Sequence, residues 1–192
     1  MKNDLLIPEF DEAILTPEGD EEVHPVYTLP LHEFRFQEFC NKNHIINYLP
    51  MKPMWKIENH RRNDKIYQYK RKVLRPMFAS YVFVKMKKQR QHDLYISNSI
   101  NRILPVSNQE GFLEDIRIVR KIELIGLSQE LEYNCQIKEG DHFIIHSGVW
   151  DGISGWLQKK DKQFLWFVEL EFNHEIVRAE IDPSQYKMTR LE

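Results

Sequence analysis

The sequence predicts an α+β chain in two parts: an N-terminal antiparallel sheet flanked by helices, followed by a small closed β-barrel. Three observations predict it. Residues 23–127 mix extended segments with helical stripes, residues 128–136 are polar and carry no stripe, and from Ile137 onward the pattern becomes period two with clustered glycines. Residues 1–22 stand apart as an acidic tail, so the expected divisions are 1–22, 23–127, 128–136 and 137–187.

In chain order, a strand is expected from Val23 to Leu29, closed by Pro30, and a helix from about His32 to Asn43, where Phe36, Phe39 and Cys40 make an apolar stripe. Ile45 to Leu49 reads as a short strand ended by Pro50 and Pro53. A long basic segment follows, and its Asn63-Asp64 reads as a hairpin tip. Val73 to Met86 reads as the strongest strand, with Tyr81 and Phe83 on one face and Val82, Val84 and Met86 on the other. A strand apolar on both faces is covered on both, and here the second cover is the chain's own core or a partner. A short helix near Gln89 to Ser97, an extended piece from Ile100 to Val106 and a helix from about Leu113 to Leu127 complete this part. Gly126 is the expected helix stop.

Past the linker, Phe143 and Ile145 face opposite to His142 and His146. Phe164, Trp166, Val168, Leu170 and Phe172 alternate with Glu169 and Glu171, and Val177, Ala179 and Ile181 alternate with Arg178 and Glu180. About fifty residues of short half-buried strands bury one face and lose their edges best by closing on themselves.

Composition and charge narrow the function. The 192 residues are 42% hydrophobic and 29% charged, as in a folded protein, and no apolar run approaches the roughly 20 residues that cross a bilayer. A cytoplasmic monomer without cofactor is the expectation. Cys40 and Cys135 are far apart and suggest no disulfide or zinc site. The net charge of -2 hides an asymmetry: the tail is acidic, whereas Lys56 to Arg90 is strongly basic. Within it Arg61, Arg62, Lys65, Lys70 and Arg71 are candidate phosphate contacts; a solvated hairpin is the competing reading. The tail in turn is solvation, a partner-binding segment or a mask for the basic hairpin. His142 and His146 have a metal-like spacing but no third ligand, and no phosphate-binding glycine loop or serine elbow is present, so no enzyme is expected.

Two stretches resemble a known family. Gly140-Asp141-His142-Phe143-Ile144-Ile145, followed by Gly148-Val149-Trp150-Asp151-Gly152-Ile153-Ser154-Gly155, resembles the KOW motif, two strands around a loop of the form G-x-aromatic-x-G-x-x-G. Upstream, Ile45 to Pro50 and Arg75-Pro76-Met77-Phe78-Ala79-Ser80-Tyr81-Val82-Phe83-Val84 resemble the signature of the NusG N-terminal domain, usually P-L-F-P-G-Y-L-F-V. The chain departs from it at Ala79-Ser80, where the family has Pro-Gly, at Val149 and at Leu31, drift that suits a specialised paralog of the RfaH or UpxY type.

The resemblance implies an SH3-like KOW barrel behind a NusG N-terminal domain, and a transcription elongation or antitermination factor. Tyr48, Pro76, Phe78 and Tyr81 match the patch that packs on the clamp helices of RNA polymerase, and the basic hairpin would lie near the upstream duplex or non-template DNA. The KOW residues Gly148, Trp150, Gly152, Gly155 and Phe172 would serve recruitment of the ribosomal protein NusE or of Rho. Trp150 and Phe172 match exposed aromatic positions, and plain core is the alternative for both. Two other readings are a general factor supporting Rho-dependent termination and a ribosome-associated KOW protein that binds RNA.

Overall fold

The computed structural model describes residues 8–62, 65–133, 135–136, 140–170 and 172–191. The expected hairpin tip Asn63-Asp64, the first barrel residue Ile137, Glu171 and the Met1 to Ile7 part of the tail lie outside the described residues. The chain forms two compact units, Met1–Gln109 and Glu110–Glu192.

In the first unit, strands β1 (Glu21–Thr28), β2 (Asn47–Tyr48), β5 (Tyr81–Lys87) and β6 (Ile100–Ile103) form an antiparallel sheet in the order β2-β5-β1-β6; the intervening strands are β3 (Met51–Arg62) and β4 (Lys65–Pro76). Helix α1 (Glu33–Lys42) covers one face. Its Phe36 and Cys40 meet Val26, Val82, Val84 and Met86 in the core, as the stripe predicts. Leu94, from the 3-10 segment Lys88–Ser97, joins the same core.

The expected continuous strand from Val73 to Met86 is two strands. β4 ends at Pro76, and Met77 to Ser80 make a tight turn in which Ser80 has a φ of 64°. Three hydrogen bonds hold that turn: Tyr81 N–H to Phe78 O at 3.4 Å, Thr28 N–H to Ser80 O at 2.8 Å, and Ser80 N–H to the buried Glu33 carboxylate at 2.8 Å. Apolar pattern alone does not show such a break, because the turn residues Met77 and Phe78 are themselves buried.

β3 and β4 pair over their whole length, from Met51 opposite Pro76 to Arg62 opposite Lys65, as a two-stranded ribbon separate from the sheet. In the second unit, helix α2 (Gln109–Ser128) precedes strands β7 (Leu131–Tyr133), β8 (Asp141–Ile145), β9 (Ser154–Lys160), β10 (Gln163–Leu170), β11 (Glu175–Ile181) and β12 (Met188–Arg190). These make an antiparallel sheet in the order β12-β8-β9-β10-β11-β7, a strand-rich region consistent with a KOW domain. The helix stop differs from the sequence reading: Gly126 is buried inside α2, and Ser128 is its last residue. From Glu110 onward helix α2 groups with the second unit.

Candidate docking face and nucleic-acid ribbon

Alternation along β5 turns Tyr81, Phe83 and Lys85 away from α1. Register sets Tyr27 beside Tyr81, Pro25 and Tyr48 beside Phe83, and Val23 beside Lys85. An aromatic face results: Phe78 lies 6.4 Å and Tyr48 6.0 Å from Phe83, ring centre to ring centre, and Tyr27 lies 5.4 Å from Tyr81.

Of the two covers the sequence left open for this face, the chain's own residues supply much of one. Tyr48, Phe78 and Phe83 have no exposed surface, while Pro76 and Tyr81 are half-buried. Part of the cover is the chain's own tail. Phe10 meets Tyr48 edge-on at 4.8 Å, and the 3-10 turn Glu12–Leu15 buries Ile14 completely. Asp11 caps that turn, accepting a hydrogen bond from Ala13 N–H at 2.9 Å. The buried Lys85 ammonium then ties the segment down, donating to Thr16 O at 3.2 Å and pairing with Glu21 at 3.3 Å. Asp20 pairs with Lys87 at 3.3 Å. The Glu18 N–H, followed by Lys85, holds the Glu21 carboxyl below the usual carboxylate range. These tail carboxylates therefore meet lysines of β5, and the sequence had not linked the tail to the aromatic face at all.

Beside the Met77–Ser80 turn, the start of α1 stays open. Leu31 is 90% exposed at a φ of 64° and Phe34 is 50% exposed, although Glu33 between them is buried against Ser80. From the sequence, Leu31 stood out only as a departure from the family pattern, and Phe34 was not singled out. The available signal was Phe34's position off the stripe of Phe36 and Cys40.

The basic candidates lie on the ribbon. Register puts Arg61 and Lys70 on one face and Arg71 on the other, while the side chains of Arg62 and Lys65 lie outside those described. Arg61 and Lys70 are exposed, and Arg71 is half-buried. Glu58 sits between Lys56, at 2.8 Å, and Arg71, at 2.9 Å, and these two cations pull its carboxyl down to about 2. Trp55 is exposed, with the Lys72 ammonium 5.4 Å from its ring centre. A ribbon open on both faces and rich in cations and rings can bind a polyanion but contributes little to a core.

A family profile described as "Transcription termination factor nusG" matches residues 25–121, just over half of the chain. The chain belongs to the NusG family. Among solved structures, a chain of the MjSpt4:Spt5 complex in conformation B is similar at a TM-score of 0.29 and 14% identity, over 88% of this chain and 98% of that one. A likeness of that degree carries nothing further. The comparison with curated proteins gives no match.

The NusG family is one of transcription factors, and the matched residues include the aromatic face and the ribbon. Outside the match, the β8–β9 loop of this NusG-family chain closes on itself. Gly152 N–H donates to Ile145 O at 2.8 Å and Ile153 N–H to Trp150 O at 3.0 Å, with Gly148 and Gly152 at φ of 70° and 77°. The exposed reading of Trp150 is corrected: its side chain is fully buried and plugs the loop. Phe172 is half-buried, 6.0 Å from Phe112 of α2. A Cβ on Gly155 would stand 2.2 Å from the Phe167 carbonyl oxygen, so only glycine lets β9 and β10 approach there. His142 stacks on Trp156 at 4.6 Å, and His146 Nε2 lies 3.1 Å from Thr189 Oγ1, so these two histidines serve the surface of the sheet.

Proposed function

We propose that this NusG-family chain is a transcription elongation and antitermination factor that docks on the clamp helices of the largest RNA polymerase subunit. The docking face is the aromatic one, with Tyr48, Pro76, Phe78 and Tyr81, and it is entered from the open rim of Leu31 and Phe34. The observation that carries the reading is that these rings gather beneath a cover that includes an N-terminal segment lying outside the sheet. Residues 8–20 add no strand to the sheet, and their contacts include the Phe10 ring against Tyr48, the buried Ile14 and the lysines Lys85 and Lys87. Docking then requires the segment to leave, and the buried rings supply the contact area. Aromatic anchors of this kind contribute about 2 kcal/mol or more each. The ribbon, with Arg61, Arg62, Lys65, Lys70 and Arg71, contacts upstream or non-template DNA through phosphates. The KOW-type unit recruits NusE or Rho. Phe172 remains a contact candidate there, while Trp150 supports the loop from inside.

Retention on immobilised core RNA polymerase tests the reading. Leu31→Asp combined with Phe34→Asp should reduce retention about tenfold without changing the circular dichroism, since both side chains are at the surface. Phe10→Ala should increase retention about fivefold by loosening the cover. Equal retention of all three proteins would sink the docking face. Transcription through a Rho-dependent terminator then separates the two roles within the family: readthrough marks the antiterminator, enhanced termination the general factor.

A further inference from the structure

The segment from Phe10 to Thr16 already occupies the aromatic face, and its contacts display the chemistry that the face accepts. The Phe10 ring meets Tyr48 edge-on, Ile14 is sealed in, and the Thr16 carbonyl accepts a hydrogen bond from Lys85 Nζ at 3.2 Å. Lys85 is the unusual member of this face. It stands on β5 on the same side as Tyr81 and Phe83, opposite Val23 of β1, and only 7% of its side chain is exposed. Its partners include the Thr16 carbonyl and, at 3.3 Å, the Glu21 carboxylate. Glu21 belongs to β1, whereas Thr16 belongs to the cover.

A buried ammonium that loses an acceptor is far less stable than one that exchanges it for another. Displacing the cover opens Lys85 to water, and a partner that settles on the rings drives that water off again. The partner therefore has to bring an acceptor of its own. Backbone carbonyls along a helix are engaged within the helix, so that acceptor is a side chain. A carboxylate serves best, because charge-assisted hydrogen bonds are about twice as strong as neutral ones. Lys87, exposed on the same side of β5, adds a second cation beside it. We infer that Lys85 determines which partner the face admits: a helix that presents an acidic side chain to Lys85 and an apolar one to Tyr48. The inference rests on the docking reading above and deepens it by naming the chemistry of the occupant. A wholly apolar helix would strand the ammonium and is excluded.

Retention of the full chain on immobilised core RNA polymerase tests it through the sign of one effect. Lys85→Met keeps an apolar stem and removes the charge. It also deletes the bond to Thr16, so the amides of Ala13 and Ile14 should exchange with deuterium faster than in wild type. If Lys85 did no more than anchor the cover, retention would rise, as expected for Phe10→Ala. Selection by Lys85 demands the opposite. Lys85→Met should be retained about tenfold less than wild type, and Phe10→Ala with Lys85→Met about tenfold less than Phe10→Ala alone. Lys85→Arg, which keeps a cation, should stay within about threefold of wild type and also serves as the reading should Lys85→Met melt early. The inference is overturned if Lys85→Met is retained as well as wild type or better, or if a folded Lys85→Arg loses tenfold or more, roughly the effect of deleting the charge. A gain for Phe10→Ala and Lys85→Met alike removes this inference and leaves the docking reading standing. Failure of every protein to be retained, Phe10→Ala included, removes both.

Discussion

Ser80 occupies a left-handed backbone position, with a φ of 64°, where the family pattern places glycine. A side chain there costs roughly 1–2 kcal/mol, part of which glycine would return as extra freedom in the unfolded chain. Ser80→Gly should therefore stabilise the protein by about 1 kcal/mol and raise Tm by a few degrees in thermal melts. The buried Glu33 carboxylate accepts the Ser80 N–H, so the turn keeps its shape in either case. Cys40 shows the opposite kind of burial effect. Desolvation pushes its thiol up to about 12, and the group favours the folded state in its neutral form. Its contribution to stability is thus intact below pH 9 and is lost as pH rises from 9 towards 12. A thiol reagent at pH 8 should label half-buried Cys135 first, and Cys40 only after denaturation.

At the level of elements, what was legible in the sequence is what periodicity encodes. The stripe of α1, the two-faced β5 and the alternating strands of the second unit were readable because each buries a repeating face. The Met77–Ser80 turn was not, since its punctuation is a backbone angle on a serine and its residues are as apolar as a strand's. Trp150 was legible as part of a loop motif, with exposed contact and plain core both open, because burial of a loop ring depends on how the loop folds over it. Two acids of α2, Asp115 and Glu123, are buried although its stripe reads as apolar; Glu123 is engaged by Arg120 of the same helix. The ribbon was legible as basic. Glu58 offers a test at this scale. Glu58→Gln frees Lys56 and Arg71 from their shared carboxylate, so DNA should bind the ribbon about two- to threefold more tightly, with a steeper salt dependence, in fluorescence anisotropy. Weaker binding would mean that Glu58 is needed to position those cations.

Across the molecule, charge is laid out by segment: an acidic N-terminal stretch, a basic ribbon and a mixed second unit sum to a net charge of -2. Part of the acidic stretch is anchored, although Glu9, Asp11, Glu12 and Glu18 stay exposed. Asp20 and Glu21 meet Lys87 and Lys85, and Phe10 and Ile14 supply the apolar contact. The proposed docking requires this segment to open without unfolding the sheet. Its amides at Ala13, Ile14 and Thr16 should therefore exchange with deuterium much faster than those of Val82 and Val84 in β5. Exchange at the same rate for both sets would mean that the cover and the sheet come apart together.

The Phe10 to Thr16 cover also has a consequence for time. Under the proposed docking, a visitor seats itself on Tyr48 only during the moments when this segment has swung off, so the observed association rate should climb with visitor concentration and then level off at the rate of that swing. Shortening Phe10 would lift the plateau, and encounter frequency alone would no longer set how quickly the pair forms.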